Sequence, residues 1–111
     1  MLDIDREARL LSNDGKRKWA IVSKLIDSMN ISENDKENLR QRKMAAIRVC
    51  DLHTLEVEGK LDDKGEAEMY RLADYYVEMG ELVKDTEPEF NNLLTQVNKE
   101  NNSNKNKRKA A

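Results

Sequence analysis

The chain has 111 residues, with 20 basic and 22 acidic side chains, and its hydrophobic and charged fractions are each 38%. This length predicts one domain with a modest core, and no apolar run is long enough to cross a membrane. One proline, four glycines and no alternating runs of valine, isoleucine and threonine argue against β-sandwich and barrel folds. A single cysteine and a charged N-terminus without a signal-peptide pattern favour a cytoplasmic location.

The charges are segregated along the chain. Residues 1–53 hold 11 basic and 9 acidic side chains, a net charge of +2. Residues 54–97 hold 4 basic and 12 acidic side chains, and residues 98–111 hold 5 basic and 1 acidic. The middle of the chain therefore carries −8 and the C-terminal end +4, a polarity that bears on the choice of partners.

Two helices are predicted before residue 30. Asp3 is placed to cap a short first helix, and Asp14 to cap a second helix over residues 16–29. The apolar positions of the second helix fall on one face: Trp19, Val22, Leu25, Ile26 and Met29. That spacing predicts a helix with one buried side.

The next two helices are predicted to form an antiparallel hairpin. Ser32 precedes acidic residues and should cap a helix over residues 33–58, which Gly59 ends because glycine tolerates positive φ. Asp63 and Glu66 fit a capping box that begins the following helix. We therefore expect an all-α fold, a small bundle of four to five helices built on the hairpin of residues 33–58 and 64–84.

The fourth predicted helix carries two apolar stripes. The first stripe consists of Met69, Leu72, Tyr76, Met79 and Val83, spaced alternately three and four residues apart. The second stripe, beside it, consists of Tyr70, Ala73, Val77 and Gly80. The first stripe predicts burial against neighbouring helices. A small monomer has few helices with which to cover both stripes. The second stripe is therefore either a surface for self-association or is closed by the chain's own N-terminal helices.

A fifth helix and a tail complete the prediction. Thr86 and Glu89 fit a capping box, and the apolar positions Phe90, Leu93, Leu94 and Val97 follow at helical spacing. Residues 1–97 are thus expected to form a single helical domain. Residues 98–111 have no apolar anchor and are predicted to be a disordered basic tail.

The sequence offers little for catalysis. Cys50 and His53 share a helical face, but a zinc site needs three or four ligands, so we expect a core cysteine and a half-buried histidine. Asp74, Glu78 and Glu81 also share a face, yet the first stripe predicts that this face points outward. No glycine-rich phosphate loop is present. We expect a non-enzymatic protein without a metal or cofactor.

We expect the chain to act through helix–helix contacts, either with a protein partner or with copies of itself. The acidic stretch 54–89, which includes the fourth helix, is the candidate docking face. Its negative charge suits a basic protein partner and would steer association. Of the three tyrosines, Tyr75 is the one expected to be exposed, and an exposed tyrosine beside apolar residues is typical of interfaces. The equal alternative is that Tyr75 is half-buried at the edge of the fold. The candidate protein-binding residues are Asp74, Tyr75, Glu78, Glu81 and Leu82.

The alternative is a small DNA-binding regulator. Residues 16–29 and 33–48 have the spacing of a helix-turn-helix pair, with the third helix as the reading helix. The candidate nucleic-acid-binding residues are Lys16, Arg17, Lys18, Arg40, Arg42, Lys43, Arg48, Lys105, Lys107, Arg108 and Lys109. Against this alternative, Glu33, Asp35 and Glu37 lie at the end of the helix that should approach the bases.

Overall fold

The computed structural model describes the backbone of residues 1–110 and the side chains of residues 1–100. Over this range the chain forms five α-helices and no strand. They are α1 (Ile4–Leu10), α2 (Asn13–Ser28), α3 (Glu33–Val57), α4 (Asp63–Leu82) and α5 (Glu87–Ala110). The all-α bundle built on the α3–α4 hairpin is confirmed. The described helices include none that combines the length and apolarity needed to cross a membrane.

The predicted disordered tail, residues 98–111, lies mostly beyond the described side chains. The backbone of residues 98–110 continues α5. From residue 101 onward the prediction falls outside the residues whose side chains the structure describes.

The α1–α2 junction is organised by a contact with α3. Asp3 caps α1 as predicted, since its carboxylate accepts a hydrogen bond from the Arg6 amide at 3.3 Å. The predicted Asp14 cap is wrong, because α2 begins earlier, with Ser12 accepting from the Gly15 amide at 3.0 Å. The Ser12 amide and hydroxyl each donate to the Asp51 carboxylate at 2.8 Å. This contact with α3 fixes where α2 starts.

Both ends of α3 lie where the sequence predicts, whereas the caps of α4 and α5 differ from prediction. Ser32 caps α3 as predicted, and Gly59 ends the hairpin's first helix with a φ of +72°. The cap of α4 is Asp62 rather than Asp63, and it accepts from the Gly65 amide at 2.7 Å. Before α5, the Thr86 hydroxyl donates to the Val83 carbonyl at 3.4 Å instead of capping the helix.

Three clusters of buried apolar side chains form the core, and α3 contributes to each. The first joins Ile26, Met29, Leu39, Val83 and Phe90; the second Leu11, Met44 and Ile47; the third Leu52, Met69 and Leu72. The first stripe of α4 is buried as predicted, except that Tyr76 is only half-buried. The α3 helix is therefore the central element against which the others pack.

The end of α3 departs from prediction. Cys50 and His53 are both exposed, so the expected core cysteine and half-buried histidine are wrong. The α1–α2 junction meets α3 at Asp51, and the following turns, including Leu55 and Val57, are exposed. The apolar face of α3 thus extends beyond the helices that cover it.

Candidate protein-interaction surface

The second stripe of α4 is uncovered at its two largest residues. Tyr70 is 58% exposed and Val77 is 72% exposed, whereas Ala73 and Gly80 are half-buried. Tyr70 and Val77 are seven residues apart, so they lie on the same side of the helix two turns apart. In the described part of the chain, Tyr70 and Val77 thus form an apolar ridge along α4 that no other helix covers.

On the side of the second stripe that faces the core, Arg42 of α3 packs against α4. Its Nε donates to the Tyr76 carbonyl at 3.0 Å, and its guanidinium carbon lies 3.8 Å from the centre of the Tyr76 ring. A Cβ at Gly80 would lie 3.1 Å from the Arg42 Nη2 atom, so glycine makes room for this side chain. Helix α3 therefore covers Gly80 and leaves Tyr70 and Val77 outside.

The predicted acidic residues surround this ridge on its solvent side. Asp74, Glu78 and Glu81 are exposed, as is Leu82. Among the described side chains, Glu81 pairs with Lys84 at 2.9 Å, whereas neither Asp74 nor Glu78 forms an ion pair. The predicted outward orientation of the three carboxylates is confirmed.

Tyr75 is not part of the exposed surface. It is half-buried, and its hydroxyl donates to Gln41 Oε1 at 2.8 Å. Gln41 is 1% exposed and also exchanges two hydrogen bonds with the Leu2 backbone, at 2.7 and 2.9 Å. The interpretation of Tyr75 as the exposed tyrosine is wrong and the half-buried alternative is confirmed, because its hydroxyl has a partner 34 residues away in the chain. The exposed tyrosine is Tyr70.

Replacing Tyr75 with phenylalanine should cost about 0.5–1.5 kcal/mol of unfolding free energy at neutral pH, because Gln41 loses one hydrogen bond. Burial raises the pKa of the Tyr75 hydroxyl above 10.0. The folded state therefore keeps this proton longer than the unfolded state, and the stabilisation is lost as pH rises through the raised pKa. Urea titrations should show the two proteins converging above pH 10. A constant difference at all pH values would contradict this prediction.

Four of the predicted nucleic-acid-binding cations are turned into the fold. Arg40 pairs with Asp27 at 2.7 Å, and Arg48 pairs with Glu7 at 3.1 Å. Arg42 and Lys43 both meet Glu87. The four cationic side chains are only 10–22% exposed. To contact a phosphate, each of these cations would have to leave its carboxylate partner or bind both groups at once.

Lys43 lies between a carboxylate and an aromatic ring. Its ammonium nitrogen lies 3.9 Å from Glu87 Oε2 and 4.7 Å from the centre of the Phe90 ring. Burial lowers the pKa of its ammonium group. These contacts tie α3 to the start of α5.

The other predicted nucleic-acid-binding residues are spread between α2 and the C-terminal end. Lys16, Arg17 and Lys18 are exposed near the start of α2, where Arg17 pairs with Asp14 at 2.9 Å. Lys105, Lys107, Arg108 and Lys109 lie outside the residues whose side chains the structure describes. Among the described members of the set, the α2 cations are therefore exposed, whereas those of α3 are mostly covered.

The described residues show no metal centre, and the chain has no match among known proteins. Within the described residues, no group of three or more histidine, cysteine, aspartate or glutamate side chains is placed to hold a metal ion. Comparison of the chain with protein-family models, curated proteins and solved structures finds no match. The surface chemistry of α4 is the basis for a functional proposal.

Proposed function

We propose that this chain is a non-enzymatic interaction module that binds a partner protein through the outer side of α4. We call this surface the α4 flank and define it by Tyr70, Asp74, Val77, Glu78 and Glu81. The observation that carries the proposal is the exposure of Tyr70 and Val77 on one ridge. Large exposed apolar residues bordered by charged ones are typical of protein interfaces, and tyrosine is enriched among their energetic centres. The single cysteine supports a cytoplasmic setting for this role.

DNA binding receives less support. The cations of α3 that would read bases form ion pairs with Asp27, Glu7 and Glu87, and the cationic side chains themselves are mostly covered. A gel shift with duplex DNA at two salt concentrations tests this alternative directly. Nucleic-acid affinity should fall steeply with salt if it is real, and absence of a shift at low salt would exclude it.

Site-specific crosslinking tests the interaction proposal. A photoreactive phenylalanine analogue placed at Tyr70 of the full chain should give a discrete adduct in native cell extract. The matched control places the same analogue at Ile21, an exposed apolar position on α2. An adduct of twice the chain mass would identify self-association, which sedimentation velocity of the purified protein checks independently. Equal adducts from both positions, or none from position 70, would refute the proposal.

Charge reversal should separate binding from folding. Changing Asp74, Glu78 and Glu81 to lysine is expected to abolish the adduct at position 70 while altering stability little. Exposed surface substitutions usually change the unfolding free energy by no more than about 0.5 kcal/mol each. The control reverses Asp85, Glu89 and Glu100, which are exposed outside the α4 flank. Loss of the adduct in both triple variants would indicate a non-specific effect of net charge.

A further inference from the structure

The α4 flank is acidic, and among the described side chains only Glu81 of its three carboxylates has an ion-pair partner, Lys84. Helix α4 contains six acidic and two basic side chains. One of the two cations, Arg71, is used locally, because it pairs with Glu68 at 2.6 Å. The neighbouring cations of α3, Arg42 and Lys43, both meet Glu87. The carboxylates around Tyr70 and Val77 therefore present a negative field to an approaching molecule.

The apolar part of the flank has the dimensions of a helix-packing ridge. Tyr70 and Val77 are separated by two turns, about 10 Å along the axis. Ala73 lies between them and is half-buried. Because its side chain is small, the backbone of another helix can approach closely at this point. A seven-residue repeat matches the spacing at which a second helix, crossing at about 20°, places its own apolar residues.

We infer that the partner of the α4 flank is a cationic amphipathic helix, an inference that rests on the function proposed above. Its aliphatic residues, repeated every seven positions, pack beside Tyr70 and Val77. Lysine or arginine residues bordering that apolar row face carboxylates such as Asp74 and Glu78. Because the attraction is between exposed charges, salt weakens it.

The same charges disfavour other occupants of the flank. A second copy packing α4 against α4 would bring carboxylates of like sign together, which is a repulsive arrangement. DNA and anionic lipid surfaces carry negative charge and are repelled as well. Among these classes of occupant, a basic helix is the one whose charge and shape both fit.

A synthetic peptide tests the inference directly. The probe is a labelled helix of about three heptads, with leucine at the seam positions and lysine beside them. The control peptide has glutamate in place of every lysine. Fluorescence anisotropy with the full chain should show binding of the lysine peptide alone, with affinity falling as salt is raised. Binding of both peptides, or of neither, would overturn the inference.

Matched variants show whether the peptide binds the flank. Asp74, Glu78 and Glu81 changed together to Asn, Gln and Gln should weaken binding about tenfold. The control changes Asp85, Glu89 and Glu100 to Asn, Gln and Gln, removing equal charge elsewhere. Equal weakening in both variants would overturn the inference. Val77→Asp should also abolish binding, and circular dichroism checks that each variant remains helical.

The crosslinked partner separates this inference from the function on which it rests. Mass spectrometry of the position-70 adduct should identify a basic, helical segment. An acidic or neutral segment would overturn the cationic-helix inference and leave the interaction function standing. Absence of any adduct, as stated above, refutes the function itself.

Discussion

Replacing Phe90 with alanine is expected to lower the free energy of unfolding by about 3–5 kcal/mol. The Phe90 side chain is fully buried, at 0% exposure, in the cluster that joins α5 to the rest of the fold. Its neighbours in this cluster come from α2, α3 and the end of α4: Ile26, Met29, Leu39 and Val83. Because several elements hold these neighbours in place, the cavity left by the missing ring cannot collapse easily.

Urea denaturation followed by circular dichroism measures this loss. The control is Leu82→Ala, which removes an exposed apolar side chain and should change stability by no more than about 0.5 kcal/mol. Phe90→Leu keeps most of the buried volume and should fall between the two. If Phe90→Ala behaved like Leu82→Ala, α5 would not be packed on the core in solution.

The hairpin was predictable because its information is local. Met69, Leu72 and Val83 repeat at helical spacing, and a single periodic pattern both defines a helix and selects its buried side. Ser32 and Gly59 act through their own backbone neighbourhood, so their positions in the chain were enough to place the ends of α3. Features of this kind need no knowledge of distant residues.

The errors arise where a distant partner decides the outcome. Asp14 is a reasonable cap by composition, but Asp51, 39 residues beyond Ser12, fixes Ser12 in that role. Tyr75 looked exposed because its neighbour Tyr76 was assigned to the core, yet Gln41 provides a buried hydrogen-bond acceptor for it. No local pattern contains these pairings.

The candidate sites show the same limit. In the sequence, the basic residues of α3 resembled a free cationic surface. In the fold, Arg48 pairs with Glu7, 41 residues away, and Arg42 pairs with Glu87, 45 residues away. The second stripe was visible in the sequence, whereas the exposure of Tyr70 and Val77 depends on how much of α4 the α3 helix covers. Residue spacing was enough to predict the second stripe, whereas its exposure to solvent is determined by tertiary packing.

Replacing Glu7 with leucine is expected to lower the free energy of unfolding by about 3–5 kcal/mol. Arg48 Nε donates to Glu7 Oε2 at 3.1 Å, and the two side chains are 10% and 9% exposed. Removing the carboxylate leaves a buried guanidinium without its charge partner, which is costly in a poorly solvated site. The exposed Arg17–Asp14 pair offers a control, because Asp14→Ala breaks a pair worth about 1 kcal/mol or less.

The double variant Glu7→Leu with Arg48→Met separates the pair's net contribution from the penalty of an unpaired charge. Two apolar side chains of similar size should restore most of the stability lost in Glu7→Leu, since replacing both charges removes the desolvation cost of each. Chemical denaturation of the four proteins in this cycle gives the coupling energy. If Glu7→Leu were no less stable than Asp14→Ala, water would reach Arg48 in solution. The contacts that hold α1 on α3 would then be those of Leu11 and the Leu2–Gln41 hydrogen bonds.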